Sequence, residues 1–393
     1  MNTYQPETNA IRVQTSQTAQ KEHSTPLFLT SSFTYDSAEE MGAAFADDNL
    51  DVNIYSRFSN PTVDEFIKKI ALLEGTETGV ATGTGMAAVF STFMTFLSAG
   101  DHIVSAAAVF GSTHTLLTKY LPKWGITHSY FDMNNAESIE GLIQPNTKML
   151  YVETPSNPGL NIIDIAYVSA ICKRHNILLV VDNCFATPAL QQPIALGADL
   201  VIHSATKFID GQGRVLGGVV VGKEALIKPI YLFIRNTGPS LSPFNAWVLS
   251  KSIETLHLRM EKHSSNALAL ATTLQQNTGV NWVKYPFLPS HPQYHIAVKQ
   301  MSAGGGIVTF ELKGGLQAGK NFLNALAMLS MTNNLGDSRS IASHPASTTH
   351  AKLSAEEKAA VGITEGLIRI SVGLENINDI IADIEQALAK VNS

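Results

Sequence analysis

From Pro61 onward the chain alternates apolar runs with amphipathic stretches at a pitch that few folds accept. The periodicity predicts helices over 63–73, 86–97, 112–121, 136–143 and 164–175, with strands over 102–107, 127–131, 147–152, 177–182 and 200–203 between and after them. Such alternation builds a mainly parallel sheet covered by helices on both faces, an α/β fold. Arg214–Val221 is apolar and glycine-bearing, as an antiparallel addition to that sheet would be. Past about residue 250 the pattern shifts to a helical stretch over 243–277 and strands near 281–285, 306–312 and 367–372. Asn376 is placed to cap a last helix whose Ile377, Ile380, Ile381, Ile384, Leu388 and Val391 share one face. The expected division is an arm over 1–60, a large sheet domain over 61–250 and a smaller α+β domain over 251–393.

In a parallel sheet the strand ends open on one edge, and that edge is where ligands bind. Two of its residues stand out. Lys207 lies just past the run Leu200–His203, with Ser204 and Thr206 before it and Gly211 after it. Asp182 closes the run Ile177–Val181. Taken singly, Lys207 reads as a solvated loop lysine and Asp182 as a helix cap. Taken together they suit a phosphate-bearing pyridine aldehyde, whose carbonyl the amine takes as a Schiff base and whose ring nitrogen stays protonated beside the carboxylate.

Gly83-Thr-Gly85-Met86-Ala-Ala matches G-x-G-x-x-A and raises a dinucleotide site as a rival. Its context argues otherwise: 75–82 reads as a poor strand, and Asp101 precedes the second strand instead of ending it. The N–H groups of Gly85 and Met86, at a helix start, suit a single phosphate. In the arm, which has little periodicity, Tyr55 and Arg57 would point to one side of an extended backbone. They are either a surface pair or a third source of phosphate ligands.

Composition removes several classes. Against 33 acidic residues stand 27 Lys and Arg, a net charge of -6 without a basic cluster, so nucleic acid is not an expected partner. No apolar run approaches the roughly 18 residues of a membrane span, and the N-terminus lacks the order of a signal peptide, so a cytoplasmic protein is expected. Cys172 and Cys184 fit neither a disulfide framework nor a metal motif and read as core thiols. His344 and His350, six apart, do not form a helical zinc pair, and no metal is expected.

Six segments together resemble the pyridoxal-phosphate (PLP) enzymes of cysteine and methionine metabolism, a family similar to cystathionine γ-synthase. They are Tyr55-Ser-Arg57-Phe-Ser-Asn-Pro61-Thr, Thr82-Gly-Thr-Gly-Met86-Ala-Ala, Glu153-Thr-Pro-Ser-Asn157-Pro, Val181-Asp182-Asn-Cys-Phe-Ala-Thr187-Pro, Ser204-Ala-Thr-Lys207 and Ile368-Arg369-Ile-Ser-Val-Gly373-Leu-Glu375. They occur in order along nearly the whole chain. The resemblance implies the fold type I of PLP-dependent transferases, with a large PLP-binding domain, a smaller C-terminal domain and a homotetramer of two active dimers. It assigns Lys207 to the covalent link with PLP, Asp182 to the ring nitrogen, and Gly85, Met86, Ser204 and Thr206 to the phosphate. Tyr55 and Arg57 would reach the phosphate of a neighbouring subunit, Asn157 would lie near the ring, and Arg369 would grip the substrate α-carboxylate.

Three departures refine the expectation. Phe110 stands where many relatives place tyrosine over the ring, Gln212-Gly-Arg214 replaces a His-x-Asp, and Asn334-Leu-Gly-Asp337, with Asn334 toward the substrate, replaces a serine-led version. They resemble the O-succinylhomoserine sulfhydrylase branch, which implies O-succinylhomoserine and sulfide as substrates. O-acetylhomoserine sulfhydrylase, cystathionine γ-synthase and methionine γ-lyase remain alternatives, as does a PLP- or NAD-binding protein without turnover. Arg214 and Arg339 are candidate partners for the succinyl carboxylate.

Overall fold

The computed structural model describes residues 4–46, 52–348, 358 and 362–392. His350 lies outside them. The arm is less featureless than its periodicity suggests: it carries α1 (Pro6–Arg12) and α2 (Ala38–Ala46). α3 (Pro61–Glu74) starts where the Asn60 side chain accepts the Thr62 N–H, with Pro61 in the first turn, and stops at Gly75 in the left-handed region, φ 71°. Its Phe66, Ile70 and Leu73 are buried, each contributing about 1.5–3 kcal/mol.

Seven strands follow: β1 (Thr78–Thr82), β2 (His102–Ala106), β3 (Thr127–Phe131), β4 (Thr147–Glu153), β5 (Leu178–Asp182), β6 (Leu200–Ser204) and β7 (Gly218–Gly222). They form one sheet in the order β1-β7-β6-β5-β4-β2-β3. The pairs from β6 through β5, β4 and β2 to β3 are parallel. β7 is antiparallel to both β6 and β1, as its composition predicted. β1 corrects the sequence reading, which took 75–82 for a poor strand. Every one of its residues has a partner in β7, and Val80 and Ala81 are buried. That antiparallel setting is also not the parallel unit a dinucleotide fingerprint requires.

α4 (Gly85–Phe96) leaves β1 through a Thr84 cap, whose hydroxyl accepts the Ala87 N–H at 3.1 Å. The helix predicted over 112–121 is instead α5 (Gly111–Thr115), a wide turn over Leu116–Tyr120 and a tight one over Leu121–Trp124. Pro122 cannot donate to a regular helix there, and the Thr115 and Thr118 hydroxyls bond back to the carbonyls of Gly111 and His114. The 243–277 stretch is likewise two helices, Pro243–Ile253 and Leu256–Leu274. Arg259 of the second donates at 2.8 Å to the Ser252 carbonyl near the end of the first. The helix Glu224–Thr237, absent from the sequence reading, was hidden by Pro229 within it.

A second sheet holds β8 (Val280–Lys284), β9 (Ile307–Leu312), β10 (Ser330–Met331), β11 (Ile341–Ser343) and β12 (Leu367–Ser371), ordered β10-β11-β12-β9-β8. The last helix is Ile377–Asn392, and Asn376 receives the Asn378 N–H at 3.0 Å as its capping role predicts. Each sheet has its own apolar core. A third cluster that includes Phe208, Leu256, Met260, Ile307 and Leu335 joins the strand ends of the first sheet to the second. No helix among the described residues is long and apolar enough to cross a membrane.

Candidate active site

The parallel strands deliver their last residues to one edge: Glu153 from β4, Asp182 from β5 and Ser204 from β6. A cavity of about 880 Å³ opens there. It gathers Gly85, Met86, Phe110, Asn157, Asp182, Ser204, Thr206, Lys207, Asn334 and Arg369, residues spread over most of the chain. Tyr55 and Arg57 are not brought to it. Tyr55 is exposed, and the Arg57 guanidinium sits 5.5 Å from its ring centroid and donates to the Arg235 carbonyl. A second depression, of about 990 Å³, lies at the opposite edge of the sheet, beside Asp199 at the start of β6.

Lys207 is held by its own chain at two levels. Its backbone N–H donates to the Ser204 carbonyl at 3.2 Å, and its amine donates to Asn334 Oδ1 at 2.7 Å. Burial pushes the ammonium below the ordinary lysine range, opposed by Cys184 and reinforced by Arg369. A lowered amine is the form that attacks carbonyls and takes protons. Gly336 brings Asn334 into reach: a Cβ there would lie 2.5 Å from the Phe208 nitrogen, and its φ is +77°. The glycine in Asn334-Leu-Gly-Asp337 thus has a steric reason that its sequence context did not show.

Arg369, in the middle of β12, is buried together with its charge. It donates to Asn157 Oδ1 at 3.0 Å and to the Asn334 carbonyl at 3.1 Å, while its Nε has no hydrogen-bond partner among the described residues. No carboxylate among the described residues compensates it, and burial lowers its pKa to about 10. A buried guanidinium short of an anion is what a planar carboxylate ligand would complete.

Asp182 accepts the Cys184 N–H at 2.9 Å and the Tyr151 hydroxyl at 3.3 Å. Beside it in register stands Glu153, which the sequence reading left without a role. Glu153 accepts the Phe110 N–H at 2.8 Å and the Tyr151 hydroxyl at 3.3 Å. Burial, then the charge of Asp182, drives the Glu153 carboxyl well above its ordinary range. Burial raises Asp182 too, opposed by the Cys184 N–H and His203. Burial thus pushes both neighbouring carboxyls toward the protonated form. The signal for Glu153 was available: it ends the strand beside the one that Asp182 ends. Cys184, read from sequence as a core thiol, is half-buried and lines the cavity, while Cys172 is buried as expected.

The chain's residues fit a monophosphate-bearing pyridine aldehyde. The N–H groups of Gly85 and Met86 have no acceptor among the described residues. A Cβ on Gly85 would fall 2.6 Å from that of Ser204, so only glycine lets the α4 start meet β6. The Thr206 hydroxyl receives the Gly217 N–H at 3.1 Å, which orients it at the cavity wall. Arg214 and Arg339 do not serve as the sequence suggested. Arg214 pairs with Asp210 at 3.0 Å, Arg339 pairs with Asp337 at 2.9 Å, and neither lines the cavity.

The model of the Cys/Met metabolism PLP-dependent enzymes matches residues 7–389. The chain belongs to that family. An O-succinylhomoserine sulfhydrylase of Pseudomonas aeruginosa is 47% identical over 383 residues, 98% of this chain and 95% of that one. An L-methionine gamma-lyase of Pseudomonas deceptionensis is 44% identical over 366 residues, 92% of each. Among solved structures, that of metB from Corynebacterium glutamicum superposes with a TM-score of 0.92 at 34% identity, covering 99% of this chain and 98% of that one. Membership makes the chain a PLP-dependent enzyme of fold type I, and the cavity at the strand ends is where its own residues suit that cofactor.

Proposed function

We propose that the protein replaces the succinyl ester of O-succinylhomoserine by sulfide, forming homocysteine and succinate in methionine biosynthesis. The observation that carries this over lyase chemistry is Phe110, 46% exposed at the cavity wall and held there by Glu153. A phenyl ring offers stacking area but no proton. A thiolate leaving group needs that proton more than a carboxylate does, since a carboxylate departs as a weak base. The names of the relatives support both chemistries, sulfhydrylase at 47% and lyase at 44% identity. Phe110 favours the first.

In this reading Lys207, Asp182 and Phe110 carry the catalysis. Arg369 takes the α-carboxylate and Asn334 lies beside it. Gly85, Met86, Ser204 and Thr206 hold the phosphate, Asp182 faces the ring nitrogen, Phe110 stacks and Asn157 lies near the ring. Bound PLP supplies an electron sink for charge that develops on the substrate carbons. Lys207 moves the protons: its depressed amine takes one at Cα and returns it, with the Asn334 carboxamide fixing where the nitrogen waits. Loss of a Cβ proton supplies the electrons that expel succinate from Cγ with its C–O electron pair, hydrosulfide then adds at Cγ, and a proton returns to Cβ.

The same reading makes the protein a cytoplasmic homotetramer of two active dimers. Residues 1–60 are the arm that delivers Tyr55 and Arg57 to a neighbouring subunit's phosphate, 61–250 the PLP-binding domain and 251–393 the C-terminal domain. The test is a steady-state comparison of O-succinyl- and O-acetylhomoserine, each with sulfide and with cysteine. Fastest turnover of the succinyl ester with sulfide is expected, and faster turnover of the acetyl ester would move the protein to a different acyl branch.

A further inference from the structure

O-succinylhomoserine carries two carboxylates, and the proposed function leaves one without a partner. Arg369 is the buried cation for the α-carboxylate, and Lys207 is committed to the cofactor. Among the described residues, the other ionisable ones at the cavity wall are Glu153, Asp182, Cys184 and one base, His114. Arg214 and Arg339, the two candidates that the sequence offers, do not line the cavity and are paired.

His114 lies one helical turn beyond the ring-stacking position, its backbone N–H donating to the Phe110 carbonyl at 2.9 Å. Its ring is fixed from behind. Tyr130 stacks on it at 5.5 Å with planes 11° apart, and the Tyr130 hydroxyl meets His114 Nδ1 at 2.9 Å. Burial raises the Tyr130 phenol far above its ordinary range, so it stays protonated and donates to Nδ1. That bond leaves the imidazole proton on Nε2. His128 packs edge-on against the same tyrosine, centroids 4.8 Å apart, which completes a support stack behind the imidazole. A surface histidine needs no such support.

We infer that His114 is the specificity residue for the acyl group, with its Nε2–H donating to the terminal carboxylate of the succinyl ester, and with Tyr130 as the positioning residue that sets its tautomer. The inference rests on the proposed function and adds to it the recognition of the leaving group. An acetyl ester has no atom for this bond.

The test measures kcat/KM of the holoenzyme for both esters with sulfide, in the unmodified protein, His114→Ala and Tyr130→Phe, alongside the cofactor absorbance of each. Loss of a hydrogen bond to a charged group predicts that His114→Ala shifts the succinyl-to-acetyl ratio about ten- to hundredfold toward acetyl, mainly through KM. Tyr130→Phe is expected to shift the ratio in the same direction by less, with cofactor absorbance retained in both variants. Equal losses on both esters in both variants, or an unchanged ratio, would overturn the assignment. An unmodified enzyme that already turns over the acetyl ester faster refutes the proposed function itself, and is distinguishable because it needs no variant.

Discussion

Arg369 invites a substitution whose two effects run in opposite directions. Its depression from 12.5 to about 10 by burial corresponds to roughly 3 kcal/mol of penalty on the free protein's cation. Replacement by methionine removes that penalty. It also leaves Asn157 Oδ1 and the Asn334 carbonyl without their donor, at about 1 kcal/mol each. The variant is therefore expected to be as stable as the parent or about 1 kcal/mol more stable, a Tm unchanged or a degree or two higher. Substrate binding behaves otherwise. Removing one member of a buried, hydrogen-bonded carboxylate pair costs about 3–5 kcal/mol, so kcat/KM for O-succinylhomoserine falls by about two to three and a half orders of magnitude. Differential scanning calorimetry and initial rates on the same preparation read both quantities. A Tm lowered by many degrees with kcat/KM nearly intact would show that Arg369 is a structural cation and would refute the carboxylate assignment.

Other expectations are more direct. Asp182→Asn is expected to retain bound PLP, followed by its absorbance, and to lose most turnover, since the ring nitrogen then lacks its carboxylate; parental rates would sink the role. Mixing inactive Arg57→Ala and Lys207→Ala proteins is expected to restore part of the activity after verified subunit exchange, because a hybrid dimer has one site free of both defects; no recovery favours a site built within one chain. Asp383 receives the N–H groups of Ala327, Met328 and Leu329 at 2.8, 2.9 and 2.9 Å, so Asp383→Ala is expected to cost roughly 2–4 kcal/mol of stability without changing ester preference. Burial raises that carboxyl, and the three N–H bonds outweigh it and hold it below the ordinary range. Its contribution is accordingly present above about pH 4 and lost as the pH falls through the folded pKa, which acid unfolding of parent and variant compares.

The meeting of Lys207 and Asp182 in one cavity is legible in the sequence. Lys207 and Asp182 follow apolar runs, and parallel pairing puts such residues on one edge. What sequence could not supply was the traffic between the sheets. That Asn334 binds the Lys207 amine, or that Gly336 must be small because it touches the Phe208 backbone, depends on contacts more than a hundred residues apart. Glu153 has no role legible in the sequence, since what lifts its carboxyl is its own burial and then the charge of Asp182 beside it. Local misreadings have local causes. β1 looked weak because its glycine and threonines pair well only against β7, and the helix over 112–121 broke where Pro122 removes a donor. Arg214 and Arg339 read as free cations because only the folded turns bring Asp210 and Asp337 against them.

The central claim is that this cavity, with a phenyl ring at Phe110, replaces an acyl ester and spares a thioether. One measurement bears on it most directly: the unmodified enzyme is given O-succinylhomoserine with sulfide, or methionine alone, and homocysteine and 2-oxobutanoate are quantified. Brisk homocysteine formation from the ester, with negligible 2-oxobutanoate from methionine, is the predicted result. Release of 2-oxobutanoate from methionine at a rate matching consumption of the ester would contradict it.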